Sequence, residues 1–200
     1  MNNIRIILIL SFVFCTNVLK AKTNPVDLGL SVKWAECNVG AKNPWEAGNY
    51  YYWGDPSGEK APEDIFSNED SIMDITGTAR DIAKVNMGGN WRMPTCKELN
   101  ELVEKCYWQV ETLNGVNGFR VKGPNGNSIF IPAIGGYDRG VFRTDQGAGL
   151  WSGTFNFEWN RIDFLLVWIK QYGNCDSQII KVNLRQGSMR YKFNVRAVCK

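Results

Sequence analysis

The stretch Pro94-Thr95-Cys96-Lys97-Glu98-Leu99-Asn100-Glu101-Leu102-Val103-Glu104-Lys105-Cys106 decides how this chain folds, because it carries a complete helix start and a buried stripe. Thr95 and Glu98 stand three apart directly behind a proline. In that pattern the threonine hydroxyl takes the backbone N–H of the glutamate, and the glutamate carboxylate returns to the threonine N–H. Leu99, Leu102, Val103 and Cys106 follow at helical spacing and paint one apolar face. Upstream, a shorter helix is predicted over 79–86, with Thr78 and Asp81 as its N-terminal pair and Gly88-Gly89 ending it. After Cys106 the pattern turns extended. Residues 119–122 and 128–131 flank the turn-forming Gly123-Pro124-Asn125-Gly126-Asn127, which predicts a hairpin. Further strands are predicted at 150–154, 162–169 and 179–184. In the last run Met189, Tyr191, Phe193 and Val195 alternate with Arg190, Lys192, Asn194 and Arg196, which predicts one buried face and one face in water. Helical segments followed by short antiparallel strands make an α+β fold.

The rest of the chain fits one such domain. Two hundred residues are room for a single ordinary core, and no repeat or linker divides them. Twenty glycines and 25 aromatic residues suit short strands joined by many turns rather than a long helical bundle. Histidine is absent, which removes the usual general base, the usual zinc ligand and the Ser/His and Cys/His nucleophile pairs.

At the N-terminus, Arg5 precedes the apolar run 6–14 and a polar stretch ending at Ala21, the layout of a secretory signal peptide over 1–21. The apolar run is far shorter than the roughly 20 residues a membrane-spanning helix needs, so no transmembrane span is expected once the signal is removed. Cleavage leaves a single domain over 22–200, secreted or held at the cell surface. It takes Arg5 and Lys20 from the 23 basic residues and none of the 20 acidic ones, so the exported chain is nearly neutral. A nucleic-acid role has no electrostatic support. Cys37, Cys96, Cys106, Cys175 and Cys199 remain, and an oxidising compartment favours at least one disulfide among them. Cys96 and Cys106 lie about 15 Å apart along the predicted helix, too far to bridge. With no Cys-x-x-Cys spacing and no histidine, no metal site of the zinc type is expected.

Five strings carry a resemblance: Val26-Asp27-Leu28-Gly29-Leu30-Ser31-Val32-Lys33-Trp34-Ala35, Cys37-Asn38-Val39-Gly40-Ala41, Gly88-Gly89-Asn90-Trp91-Arg92-Met93-Pro94-Thr95, Asn127-Ser128-Ile129-Phe130-Ile131-Pro132-Ala133 and Asn194-Val195-Arg196-Ala197-Val198-Cys199. Together they resemble the Fibrobacter succinogenes major paralogous domain over nearly the whole exported chain. The Trp-Arg-Met-Pro-Thr helix start is also similar to that of formylglycine-generating enzymes. The resemblance implies a C-type-lectin-like fold: short antiparallel strands, one or two helices, long irregular loops and both chain ends in one sheet. It also implies a disulfide between Cys37 and Cys106. The sequence departs from the family's common form over 150–173, where Trp151-Ser152-Gly153-Thr154 and the apolar 164–169 stand.

The expected function is an exported, non-catalytic recognition module that binds a glycan or a protein through surface loops. Residues 137–161 are the most site-like segment, with Tyr137, Asp138, Arg139, Asn156, Glu158, Trp159, Asn160 and Arg161 as the candidate ligand-binding residues. The aromatic run Tyr50-Tyr51-Tyr52-Trp53 reads first as core and second as a sugar-stacking surface. Arg92 reads as a structural anchor of the helix start. Glu59, Glu63, Asp64, Glu69, Asp70 and Asp74 crowd one stretch that reads first as a solvated loop and second as a calcium loop. No other cofactor is expected. Two alternatives stand beside this reading. A structural or fimbria-associated surface component would expose an unpaired strand edge, and an enzyme resembling the formylglycine-generating ones would need a close pair of free cysteines.

Overall fold

A computed structural model describes residues 23–60, 74–138, 141–143, 147–156, 158, 161–171 and 178–200. The expected signal segment, 1–21, lies outside the described residues.

The decisive helix forms as its sequence requires. It spans Cys96–Lys105, here α2; the Thr95 hydroxyl accepts from the Glu98 amide and the Glu98 carboxylate accepts from the Thr95 amide at 2.8 Å. Arg92 grips the same carboxylate at 2.5 and 2.8 Å and so anchors the cap, as expected of a structural arginine. Leu99 and Leu102 are fully buried. Thr95→Ala removes one reciprocal half of this cap and is expected to cost about 1 kcal/mol, read as a lower urea midpoint with an unchanged slope.

The shorter helix, α1, covers Ile82–Met87, three residues later than predicted at its start. Its N-cap is Asp81, whose carboxylate accepts from Lys84 N, Gly77 N and Met93 N. Thr78 is not part of the cap; its hydroxyl donates to Ile75 O and accepts from Arg80 N. The Asp81 side chain wins the cap because it accepts from amides of three segments at once.

Among the described residues the strands make four small sheets, and every ladder is antiparallel, so the chain is α+β. β1 (Pro25–Val26), β2 (Lys33–Ala35) and β13 (Val198–Cys199) bring the start and end of the described chain into one sheet, with Trp34 paired to both Val26 and Val198. β4 (Tyr107–Leu113), β5 (Val116–Lys122) and β6 (Ser128–Pro132) form a meander that contains the predicted hairpin. β3 (Tyr51–Tyr52), β12 (Tyr191–Phe193), β7 (Gly136–Asp138) and β8 (Val141–Arg143) form a third sheet in that order.

The fourth sheet, β11-β10-β9 (Gln178–Gly187, Arg161–Gln171, Gly147–Asn156), explains the apolar stretch that sets this sequence apart. Leu165 and Val167 join the core beneath α2, beside Leu99, Leu102, Phe119 and Val198. Phe164 and Leu166, on the opposite face, join a second core with Trp151, Tyr51, Trp53 and Val195. A strand buried on both faces loses the polar alternation of a half-exposed one. Along β11, Lys181, Asn183 and Arg185 are exposed, and its outer edge pairs with no strand among the described residues.

The C-terminal run departs from its predicted alternation. Only Tyr191–Phe193 is ladder, and Asn194 and Arg196 are buried instead of meeting solvent. The chain leaves β12 at Asn194, bridges to Leu150, and threads between the first sheet and β6. There the Arg196 guanidinium donates to Asn38 Oδ1, Ala35 O, Glu36 O and Phe130 O.

Candidate functional site

Register in the third sheet assembles a surface that no single segment holds. Lys192 of the central strand β12 stands opposite Tyr52 on β3 and opposite Tyr137 on β7. Cross-strand partners share a face, so Tyr52, Lys192 and Tyr137 form a row. Their neighbours Tyr51 and Phe193 pair on the other face, where Tyr51 and Trp53 are buried. The aromatic run divides by alternation: Tyr51 and Trp53 are core, as its first reading has it, while Tyr50 and Tyr52 stay half-exposed.

The row floors an open cleft of about 520 Å³, walled by Gly48, Asn49, Tyr50, Ser57 and Gly58. Each wall is tied down. Asp55, buried, accepts from Ser57 N, Ser57 Oγ and Lys60 N at 2.9, 2.6 and 2.8 Å and so shapes the loop that carries Ser57 and Gly58. The Asn194 amide donates to Ala47 O and Asn49 O at 2.9 and 3.0 Å and holds the opposite wall. Gly48 sits at φ 68°, and a Cβ there would fall 2.5 Å from Val39 O, so only glycine lets this wall pass. This third sheet lies close on the fourth, because the Phe193 ring of β12 occupies the space a Cβ would need on Gly149 of β9.

The cleft is aromatic and polar together. Tyr50 and Tyr137 meet edge to face at 5.3 Å, and the Tyr50 hydroxyl donates to Ile134 O at 2.7 Å. Burial, assisted by Tyr137, pushes the Tyr50 phenol up to about 12, and burial also raises Tyr51. Both phenols keep their protons at neutral pH and act as hydrogen-bonding groups rather than bases. Lys192 Nζ donates to Gly58 O at 2.9 Å and lies 4.4 Å from the Tyr52 ring centroid. Such a set can stack on a ring and hydrogen-bond to hydroxyl groups.

Comparison with known protein families, with characterised proteins and with solved structures finds no match for this chain.

Of the residues expected from sequence to bind a ligand, Tyr137 lines the cleft. Asp138 neighbours it in β7 and pairs with Tyr191 and Val141. Asn156 and Arg161 face each other where β9 hands over to β10, with Glu158 exposed in the turn between them, and none of the three lines the cleft. Arg139, Trp159 and Asn160 lie outside the described residues. The described part of 137–161 is mostly strand rather than loop, since the chain crosses two sheets there. Tyr50 and Tyr52 stand in the run whose second reading is a sugar-stacking surface, whereas Lys192 and the wall residues Gly48, Asn49, Ser57 and Gly58 were not among the expected site residues. Their signal lies in register, which a single strand's alternation does not reveal.

Cys37, Cys96, Cys106 and Cys199 are all free thiols, so the Cys37–Cys106 bridge implied by the resemblance is not formed. Their surroundings differ: Cys37 lies by Arg196 and Thr23, Cys96 by Asp163, and Cys106 packs under α2 by Glu101. Burial raises each thiol, Cys96 to about 12 and Cys106 to about 11, with the neighbouring carboxylate adding to it. Burial raises Cys37 against the opposing field of Arg196, and Cys199 against Lys33 and Arg92. A thiol held protonated is a poor nucleophile. Cys175 lies outside the described residues, as do Glu63, Asp64, Glu69 and Asp70 of the acidic stretch. Among the described residues no three His, Cys, Asp or Glu side chains gather closely enough to hold a metal ion. No described helix is long and apolar enough to cross a membrane.

Proposed function

We propose that this protein is an exported, non-catalytic recognition module of C-type-lectin-like architecture that binds a saccharide in the tyrosine cleft. The row Tyr52–Lys192–Tyr137 carries this reading, because it puts aromatic surface and hydrogen-bonding groups together in an open concavity. A sugar ring offers apolar C–H faces and a polar rim, and tyrosine matches both at little entropic cost. Walls fixed by Asp55 and Asn194 leave little to be ordered on binding. The pairing of β2 with both β1 and β13 supports the lectin-like architecture, and the layout of residues 1–21 supports export.

Tyr52→Ala and Tyr137→Ala are expected to weaken saccharide capture by about fivefold or more, with melting temperatures within a few degrees of the parent. Titration calorimetry against saccharides found on an array measures the first effect and circular dichroism the second. Unchanged affinity in both variants would remove the cleft as the site.

The outer edge of β11, which pairs with no strand among the described residues, favours a second reading, a structural surface component to which a partner chain adds a strand. Stable oligomers in light scattering are its signature.

A further inference from the structure

We infer that the saccharide is acidic, bearing a carboxylate or sulfate that Lys192 receives. This rests on the cleft being the saccharide site. Among the described residues lining the cleft, Lys192 carries the only full charge. Its ammonium is held by two neutral partners, the Gly58 carbonyl and the face of Tyr52, and among the described side chains no ion pair involves it. Asp55, the buried acid of the cleft wall, is engaged by Ser57 and the Lys60 amide. Glu59 and Lys60 are both exposed on that loop, and neither lines the cleft.

Placement matters as much as charge. Lys192 stands mid-row, so an anion on it lies between Tyr52 and Tyr137, with Asn49 and Ser57 on the walls to either side. The ammonium has three donors, and Gly58 O takes one. The others are available to an anionic oxygen, and a hydrogen bond between two ions is roughly twice as strong as a neutral one. A lysine is a point charge rather than a planar fork, so it selects for an anion without choosing carboxylate over sulfate.

The test compares a hyaluronan tetrasaccharide, its carboxyl-reduced neutral form and a sulfated chondroitin tetrasaccharide by calorimetry with the purified full chain. Either acidic probe is expected to bind about tenfold more tightly than the neutral form at low salt, and the preference should shrink to about twofold at 0.5 M salt. Lys192→Gln should bring the ratio of acidic to neutral affinity to about one, and Lys192→Arg should restore it. A carboxyl-reduced chondroitin sulfate tetrasaccharide, which keeps only its sulfates, distinguishes the sulfate source from the carboxylate that hyaluronan offers alone. Equal affinity for charged and neutral probes, or a ratio unmoved in Lys192→Gln, overturns the charge assignment while the saccharide reading stands. Capture of no saccharide at all, on these probes or on an array, brings down both.

Discussion

Arg196→Met is expected to cost about 4 kcal/mol and to lower the melting temperature by about 10 °C, the largest single-residue effect in the C-terminal segment. Two forces oppose each other here. Arg196 is fully buried, and burial pulls the guanidinium down to about 10, with Cys37 and Glu36 offsetting part of that fall. Methionine would relieve this cost of burying a charge. It would also strip donors from Asn38 Oδ1 and from the carbonyls of Ala35, Glu36 and Phe130. Each buried acceptor left unpaired costs about 1–3 kcal/mol, so the loss at four acceptors exceeds the relief at one cation. The segments it joins, β2, β6 and the C-terminal strand, would lose a common tie. A melting point within about 3 °C of the parent, by circular dichroism, would show that water replaces the guanidinium without penalty.

The pH dependence of this group has a definite sign. Its folded value, about 10, lies below the ordinary arginine value, so the folded chain binds the proton less readily than the unfolded one. Arg196 ionisation therefore opposes folding at all pH below about 10, and the opposition fades as pH rises from there toward the ordinary arginine value. Protein lacking Arg196 would not show that contribution.

How much of this was legible depends on how far apart the interacting residues lie in sequence. The cap of α2 is written within Thr95 to Glu98, and the β5–β6 hairpin within its five-residue turn, so both could be read directly. The β4–β5 hairpin was equally local: Asn114 and Gly115 take φ 50° and 79°, the left-handed pair that a two-residue turn needs, but the Asn-Gly signal went unread. Arg196 is the opposite case. Its period-two position assigns it to the solvent face, yet its acceptors come from residues 35–38 and 130, and no alternation within β12 encodes them. Asn194 fails for the same reason, because Ala47 and Asn49 lie far upstream. The cleft combines both kinds of signal. Tyr137 and the Tyr50-Tyr51-Tyr52 run were visible as composition, whereas their meeting across Lys192 depends on which strand lies between β3 and β7.

Trp151→Ala is the second large effect expected, and it couples stability to the cleft. Trp151 is fully buried; its ring meets Phe193 at 4.8 Å and Phe164 at 5.7 Å, and its Nε1 donates to Tyr51 O at 2.9 Å. Alanine would leave a cavity between two sheets and orphan the Tyr51 carbonyl, at a cost of about 4–5 kcal/mol. For a chain of this size that lowers the melting temperature by about 8–16 °C. Trp151→Phe keeps most of the ring volume but not the donor, so its cost should be about half as large. Tyr51 is the residue before Tyr52, and Phe193 is the residue after Lys192, so the collapse reaches the binding row from beneath. The alanine variant should therefore lose affinity together with stability, whereas Tyr52→Ala loses affinity alone. Saturating saccharide separates the two causes. At one ligand concentration it raises the melting point by an amount that grows with the logarithm of the remaining affinity, so Trp151→Ala should gain less from ligand than the parent does. An equal gain in both would mean that the second core supports the fold without positioning the cleft.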